Sequence, residues 1–158
     1  MGRMPRELQD ELDVPVNYRS RATEAFLAIL RTAAVLDHQI DEALRPHRIG
    51  LTQYNVLRIL AGAGSAGLCG RQVAERLVAR VPDVPRLLKR LEARGLIARE
   101  RDAADRRHVT ARLTPKGRHL VRAAGPRLEA TLRSRLNRLS ARTMLGLIDG
   151  LAAVRDGT

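Results

Sequence analysis

The sequence is poor in aromatic side chains, with no tryptophan, one phenylalanine and two tyrosines among its 158 residues. Proteins that read single-stranded RNA stack the bases on aromatic side chains, and three aromatic residues are too few for such a surface. A basic helix that binds an anionic membrane surface needs large apolar anchors, which are also missing. The composition therefore argues against an RNA reader and against a membrane-surface protein.

Cysteine and long apolar runs are scarce as well. The single cysteine, Cys69, cannot form an internal disulfide, which agrees with a reducing compartment. No apolar run approaches the roughly 20 residues that a transmembrane helix needs. Residues 1–17 lack the apolar segment and the small-residue cleavage site of a signal peptide. We therefore expect a globular, cytoplasmic protein without a membrane partner.

Recognisable catalytic patterns are absent too. The chain has no P-loop, no G-x-S-x-G motif and no pair of carboxylates in a known frame, so we expect no enzyme activity and no cofactor. The four histidines, His38, His47, His108 and His119, show no tight ligand spacing with the nearby acidic residues. We therefore expect no metal site.

Positive charge is abundant. Lysine and arginine total 29 against 17 acidic residues, a net charge of +12, and only Lys89 and Lys116 are lysines. The segment Gly70–Arg122 holds 15 basic and 6 acidic residues, which concentrates most of the excess in one third of the chain. Arginine presents a fixed donor fork to phosphates and guanine edges. A polyanionic partner, above all double-stranded DNA, is therefore expected.

The apolar periodicity predicts a mainly α protein with a small two- to three-stranded antiparallel β wing. We expect Thr52 to be an N-cap, Ala61–Gly67 a loop, and Gly95 the residue that ends a helix. The expected helices are Arg19–Arg45, a second one up to Leu60, a short one from about Gly70 with Val78 on its apolar stripe, Pro82–Arg94, a long one from Thr114-Pro115 to Leu139, and Ala141–Val154; the expected strands are Leu96–Arg101 and His108–Leu113.

The expected helix Pro82–Arg94 has two chemically different faces. Its apolar residues fall at i, i+3, i+4 and i+7, so Arg86 and Lys89 lie on the opposite face with Arg90 beside them. The connector Asp102–Arg107 reads as a hairpin loop, in which Asp105 can orient a neighbouring guanidinium and Arg106 and Arg107 can enter a minor groove. This order is that of a winged helix-turn-helix whose DNA contacts are these six residues.

The first and last expected helices carry apolar stripes that are too long for so small a winged module to cover. Burial in a second copy of the chain is the economical explanation, so we expect a homodimer with long N- and C-terminal dimerisation helices.

Several short sequence runs, in their order and spacing along the chain, resemble the MarR family of bacterial transcriptional regulators. They are Leu51-Thr52, Leu68–Leu77, Leu87–Leu96 with its LEARGLI ending, and Asp102–Thr114 followed by Pro115-Lys116-Gly117. The co-occurrence of LE-x-x-GL, D-x-x-D-R-R and LTPKG is the specific part. Pro82 and Pro85 stand where many members have serine or threonine, so the site preference of those members cannot be transferred.

The resemblance implies a homodimeric regulator that binds pseudo-palindromic DNA, a repressor released by a small aromatic or anionic effector, associated with the nucleoid. It divides the chain into an N-terminal arm and dimerisation helix (1–48), a winged helix-turn-helix (49–118) and C-terminal dimerisation helices (119–158). It also implies a ligand pocket near Phe26, Tyr54 and Leu57, although these residues serve equally well as core.

Two alternatives stay open. The protein could be an architectural protein that binds DNA irrespective of sequence, and competition between an operator and bulk genomic DNA would distinguish the two. Cys69, near a helix N-terminus and Arg71, could sense oxidants, whereas a capping or packing role needs no reactive thiol.

Overall fold

Six α-helices and three short strands form the part of the chain that the computed structural model describes, residues 20–101 and 109–156. This confirms the expected fold class. The helices are α1 (Arg21–Leu44), α2 (Leu51–Ala63), α3 (Gly70–Arg76), α4 (Val84–Ala93), α5 (Pro115–Leu136) and α6 (Ala141–Asp156), and the strands are β1 (Leu68–Cys69), β2 (Ile97–Arg101) and β3 (Val109–Leu113); a 3-10 turn, Arg45–His47, follows α1.

The chain divides into two compact units, Met1–Gln39 and Ile40–Thr158. In the first unit the described residues belong mostly to α1, which exposes large apolar side chains there, Phe26 at 59% and Leu30 at 51%. None of the helices in the described ranges is long and apolar enough to cross a membrane.

The hydrophobic core lies in the second unit, where α2, α3, α4 and the strands meet. Leucine, isoleucine and valine fill it, and the largest side chains that are almost completely buried are Leu44, Leu57, Leu60, Leu91, Leu96, Ile97, Val56 and Val73. Each such side chain contributes about 1.5–3 kcal/mol when it leaves water. The core therefore stabilises the module that carries the basic helix α4.

The three strands form an antiparallel sheet in the order β1-β3-β2. Ala111 and Leu113 of β3 point into the core, as the alternation of the sequence predicts, while Thr110 before them and Arg112 between them are only half-buried. The expected two- to three-stranded wing allowed a third strand, but the position of β1 was not predicted. With two residues it is too short to show a period, and its pairing with β3, Leu68 with Ala111 and Cys69 with Thr110, defines it.

The start of α2 differs from the prediction. Thr52 lies inside the helix and Gly50 is the N-cap. The side chain of Gln53 accepts the Gly50 N–H at 3.3 Å, and Asp41 accepts the Leu51 N–H at 3.3 Å. These two side chains satisfy the Gly50 and Leu51 N–H groups, so the helix begins at Leu51, one residue before Thr52. The helix also continues to Ala63, so the loop begins after the expected Ala61.

Other boundaries shift by a few residues. The backbone of Leu77 is extended, so α3 ends at Arg76 and Val78, expected on its buried stripe, is 92% exposed. Helix α4 begins at Val84 rather than Pro82, because Asp83 is its N-cap. Helix α5 ends at Leu136 rather than Leu139 and includes Pro126.

A tight junction joins the end of α4, the start of β2 and the start of α5. Gly95 has a positive φ of 68°, as its expected role at the helix end requires. The Thr114 side chain caps α5 by accepting the Gly117 N–H at 3.1 Å. A Cβ on Gly117 would lie 2.1 Å from the Leu96 carbonyl oxygen, so only glycine allows α5 to approach β2 this closely.

Candidate nucleic-acid interface

The basic helix α4 presents two faces, as the periodicity predicts. Val84, Leu87, Leu88 and Leu91 are all buried, at 8% exposure or less. Arg86, Lys89 and Arg90 are exposed on the other side. The three predicted base-reading cations therefore lie together on the solvent side of one helix.

The N-terminus of α4 is fixed by its own cap. Asp83 accepts the backbone N–H of Arg86 at 2.8 Å. Pro85 lies in the first helical turn, where the missing N–H costs no helical hydrogen bond. Since Asp83 is held in the cap, its carboxylate is directed at backbone rather than at the arginine side chains, and the exposed face of α4 keeps its positive charge.

An ion pair joins α4 to the wing strand β2. The Nε and Nη2 atoms of Arg99 lie 2.8 and 2.7 Å from Oε2 of Glu92, near the end of α4. The side chains are 22% and 37% exposed, so water screens the pair only in part. This contact ties the wing strand to the helix.

A second arginine fixes the wing from the other strand. Arg112 of β3 donates from Nε to the carbonyl oxygen of Ser65 at 2.7 Å and from Nη1 to Glu100 of β2. It therefore ties the sheet to the loop before β1. These contacts make Arg112 a structural residue of the wing.

The predicted wing-tip residues Asp105, Arg106 and Arg107 lie outside the described residues. The structure does describe the strands that carry them, and Arg101 and Val109 form the last pair of the β2–β3 ladder. The tip therefore begins directly after a paired and anchored position.

A cleft of about 380 Å³ lies beside α2, and we call it the α2 cleft. Of the residues predicted for a ligand pocket, Tyr54 lines it, Leu57 is completely buried in the core, and Phe26 belongs to the other compact unit. The lining combines apolar and polar side chains, namely Leu51, Tyr54, Asn55, Arg58, Ile59, Val78 and Leu128.

Cys69 is the N-cap residue of α3 and is half-buried. Its N–H donates to Oε1 of Gln72 at 3.0 Å. A position at the helix N-terminus is what both the capping and the oxidant-sensing interpretations expect, and the Cys69 side chain makes no capping hydrogen bond. Among the described residues no group of three histidine, cysteine or acidic side chains is placed to hold a metal ion.

Comparison with known proteins gives a consistent result. A profile of the MarR family matches residues 49–108. The chain is 33% identical over 104 residues to the transcriptional regulator HosA of Escherichia coli O157:H7, which covers 66% of this chain and 71% of HosA. It is 31% identical over 114 residues to the transcriptional repressor Rv2887 of Mycobacterium tuberculosis, with 72% and 78% coverage.

The protein belongs to the MarR family.

The fold agrees with that assignment. It superposes on the crystal structure of Sco3205, a MarR family regulator from Streptomyces coelicolor in complex with DNA, with a TM-score of 0.78. The match covers 91% of this chain and 92% of Sco3205 at 22% identity, so it shows the shared fold alone.

Sequence reasoning missed the residues that hold this MarR interface in place. Glu92 and Arg99 are seven residues apart on two different elements, and Arg112 reaches Ser65 across 47 positions. Neither spacing is a signal in itself, because the same residue types are common throughout this arginine-rich chain. Only the LE-x-x-GL motif, which contains Glu92, drew attention to the region.

The Glu92–Arg99 pair is expected to couple α4 to the wing energetically. Glu92→Ala and Arg99→Ala should each lower the free energy of unfolding, and the double variant should lose less than the sum, with a coupling of about 0.5–1 kcal/mol after allowance for solvent screening. Urea unfolding at one fixed protein concentration measures the free energy of unfolding of the wild type, the two single variants and the double variant.

The matched control is the Arg71–Glu75 pair on α3, which spans 3.5 Å between side chains 84% and 61% exposed. Its alanine cycle should show coupling near zero. Equal coupling in the two cycles would mean that the wing pair is an ordinary surface contact.

Proposed function

We propose that this MarR-family transcriptional regulator reads a pseudo-palindromic DNA site as a homodimer, with α4 in the major groove of each half-site. The observation that carries the proposal is the division of α4 into a buried apolar face and an exposed face with Arg86, Lys89 and Arg90. Arginine and lysine donate to guanine O6 and N7, and a helix fits the major groove. DNA binding then belongs to residues 49–118, and the protein acts in the cytoplasm on the nucleoid.

The wing is the second contact of the proposal. Arg106 and Arg107 belong to the connector between β2 and β3, the two strands that Arg99 and Arg112 anchor to the rest of the module. In this proposal one of the two arginines enters the minor groove beside the half-site, where the negative potential is strongest over A·T tracts. Asp105 orients the arginine in this proposal.

Repression is the proposed direction of control. A relative 31% identical over 114 residues is named a transcriptional repressor. A dimer that occupies two adjacent half-sites at a promoter covers the DNA that RNA polymerase must contact, so binding alone suffices to repress.

Dimerisation is proposed to bury the apolar surfaces that each compact unit leaves open. In α6 no residue is buried, and Leu145, Ile148 and Val154 are 62%, 53% and 71% exposed. In the first unit, α1 exposes Phe26, Ile29 and Leu30. Exposed apolar surfaces of this kind mark protein interfaces, and a second copy of the chain supplies matching ones.

The α2 cleft is the proposed effector site. The lining includes the guanidinium of Arg58 together with Tyr54 and Asn55. The apolar walls are formed by Leu51, Ile59, Val78 and Leu128. This combination suits a small aromatic carboxylate, whose ring replaces water on the walls while its charge pairs with the guanidinium.

Replacing Arg86 tests base reading. Arg86→Ala should weaken binding to a selected operator by about 1–3 kcal/mol and relax the preference at one base position per half-site. Binding to random DNA should fall much less. Fluorescence anisotropy on both DNAs at one salt concentration measures the difference.

Arg127→Ala, which removes an exposed arginine from α5, is the control and should leave operator preference unchanged. Equal losses on operator and random DNA for Arg86→Ala would favour the architectural alternative, in which α4 contacts only phosphates.

Charges placed in the α6 surface test the dimer. The double variant Leu145→Glu with Ile148→Glu should sediment as a monomer and lose operator affinity, because an interface cannot bury unpaired carboxylates and a monomer lacks the avidity of two linked half-sites. Val78→Glu is the control. Val78 is 92% exposed outside these surfaces, so its variant should remain a dimer. A wild-type monomer with full operator affinity would disprove the proposal.

An effector in the α2 cleft must obey linkage. Benzoate should weaken operator binding by the same factor by which operator weakens benzoate binding, and Arg58→Gln should reduce both effects while Arg127→Gln preserves them. Titration calorimetry with and without operator measures the two factors. Benzoate that binds without changing DNA affinity would remove the effector role.

A further inference from the structure

A second cavity lies at the junction of the 3-10 turn, the C-terminal end of α4, the residues just before β2, and α5. Its volume is about 580 Å³, larger than that of the α2 cleft, and it shares no lining residue with that cleft. We call it the junction cavity. Four of its lining residues carry basic groups and four are apolar: His47, Arg94, Lys116 and His119, and Ala93, Leu96, Leu120 and Ala123.

The two permanent cations of the cavity are held in place by backbone oxygens. Arg94 donates from Nη1 to the carbonyl oxygen of Arg48 at 2.7 Å and from Nη2 to that of His47 at 3.2 Å. Lys116 donates from Nζ to the carbonyl oxygen of Arg94 at 2.8 Å. These contacts fix the side chains before any ligand arrives, which lowers the entropy cost of binding.

Neutral acceptors leave the positive charge uncompensated. Within residues 20–101 and 109–156, neither Arg94 nor Lys116 forms an ion pair with a carboxylate, and no acidic residue lines the cavity. A guanidinium has five N–H donors and an ammonium three, so donors remain on both groups after the backbone contacts are made. His47 and His119 add ring nitrogens to the same wall.

We propose that the junction cavity binds the phosphate group of a small phosphate monoester. A phosphate monoester is close to a dianion at neutral pH and offers three acceptor oxygens, which matches two fixed cations and two imidazoles better than one carboxylate does. Lys116 lies in the first turn of α5, where the positive end of the helix also favours an anion. The apolar residues Leu96, Leu120 and Ala123 contact the organic part of the ligand.

The test uses the 158-residue protein, and phenyl phosphate is the probe. Titration calorimetry measures the binding of the probe. The probe should bind in the junction cavity of each protomer, and Lys116→Gln should weaken that binding by about tenfold or more because one charge-assisted contact is lost. His119→Asn is a second variant at an exposed position, and it should also weaken binding. The ring protons of His47 and His119 should shift in NMR spectra of the wild-type protein.

Two controls have the same charge change elsewhere. Arg122→Gln and Arg127→Gln, on exposed residues of α5 that line neither cavity, should both bind phenyl phosphate as the wild type does. Thermal unfolding of each variant confirms that it is folded. Inorganic phosphate should bind more weakly than phenyl phosphate, because it lacks the apolar part.

Three outcomes would overturn the inference. Absence of binding at millimolar phenyl phosphate would exclude the site. An equal loss in Arg122→Gln would assign binding to the general positive charge of the protein. A loss of operator affinity in Lys116→Gln as large as that in Arg86→Ala, without phenyl phosphate binding to the wild type, would make the junction cavity a contact for DNA phosphodiester instead.

Discussion

Burial of one face of α4 is the interaction on which the rest of the interface depends. Four side chains, Val84, Leu87, Leu88 and Leu91, leave water together, each with a gain of about 1.5–3 kcal/mol. A rotation of the helix by one residue, about 100°, would expose most of them. The apolar contacts therefore fix the rotation of α4, and the outward direction of Arg86, Lys89 and Arg90 follows without any contact of their own.

The C-terminal end of α4 is fixed by a different kind of contact. Gly95 reverses the chain with a left-handed backbone, and the Leu96 carbonyl oxygen then lies against Gly117 of α5. Arg94 reaches back to the 3-10 turn, and Lys116 reaches the Arg94 carbonyl oxygen. All of these acceptors are neutral backbone oxygens. The junction is thus held together while its cations keep their charge, and this is why the same contacts that fix a helix end also create an anion-binding surface.

Elements that follow from a local residue pattern could be predicted, whereas contacts with a partner distant in sequence could not. The four buried positions of α4, the alternation of Ala111 and Leu113, and the helix end at Gly95 all follow from local pattern and residue type. By residue type alone, Thr52 is as suitable an N-cap as Gly50. The true start of α2 depends on Asp41, ten positions earlier and on another helix.

The same distinction holds within the candidate site. The exposed cations of α4 were visible in the sequence, because exposure is the complement of an apolar period. The contacts that hold them were not. Arg94 donates to the Arg48 carbonyl oxygen across 46 positions. Every residue type has a backbone carbonyl, so the sequence does not show which residue is the acceptor. In a chain with 29 basic residues, residue type alone cannot separate structural arginines from those free to meet a ligand.

Helix α5 is the element that the two cavities have in common. It supplies His119, Leu120 and Ala123 to the junction cavity and Leu128 to the α2 cleft. Ala123 and Leu128 are about 7.5 Å apart along a helix that rises 1.5 Å per residue. The first turn of α5 is also packed against β2 at Gly117, so a displacement of α5 must move the wing or break that contact. A ligand in either cavity is therefore coupled to DNA binding if the ligand and DNA favour different positions of α5, and each must then change the affinity of the other by the same factor.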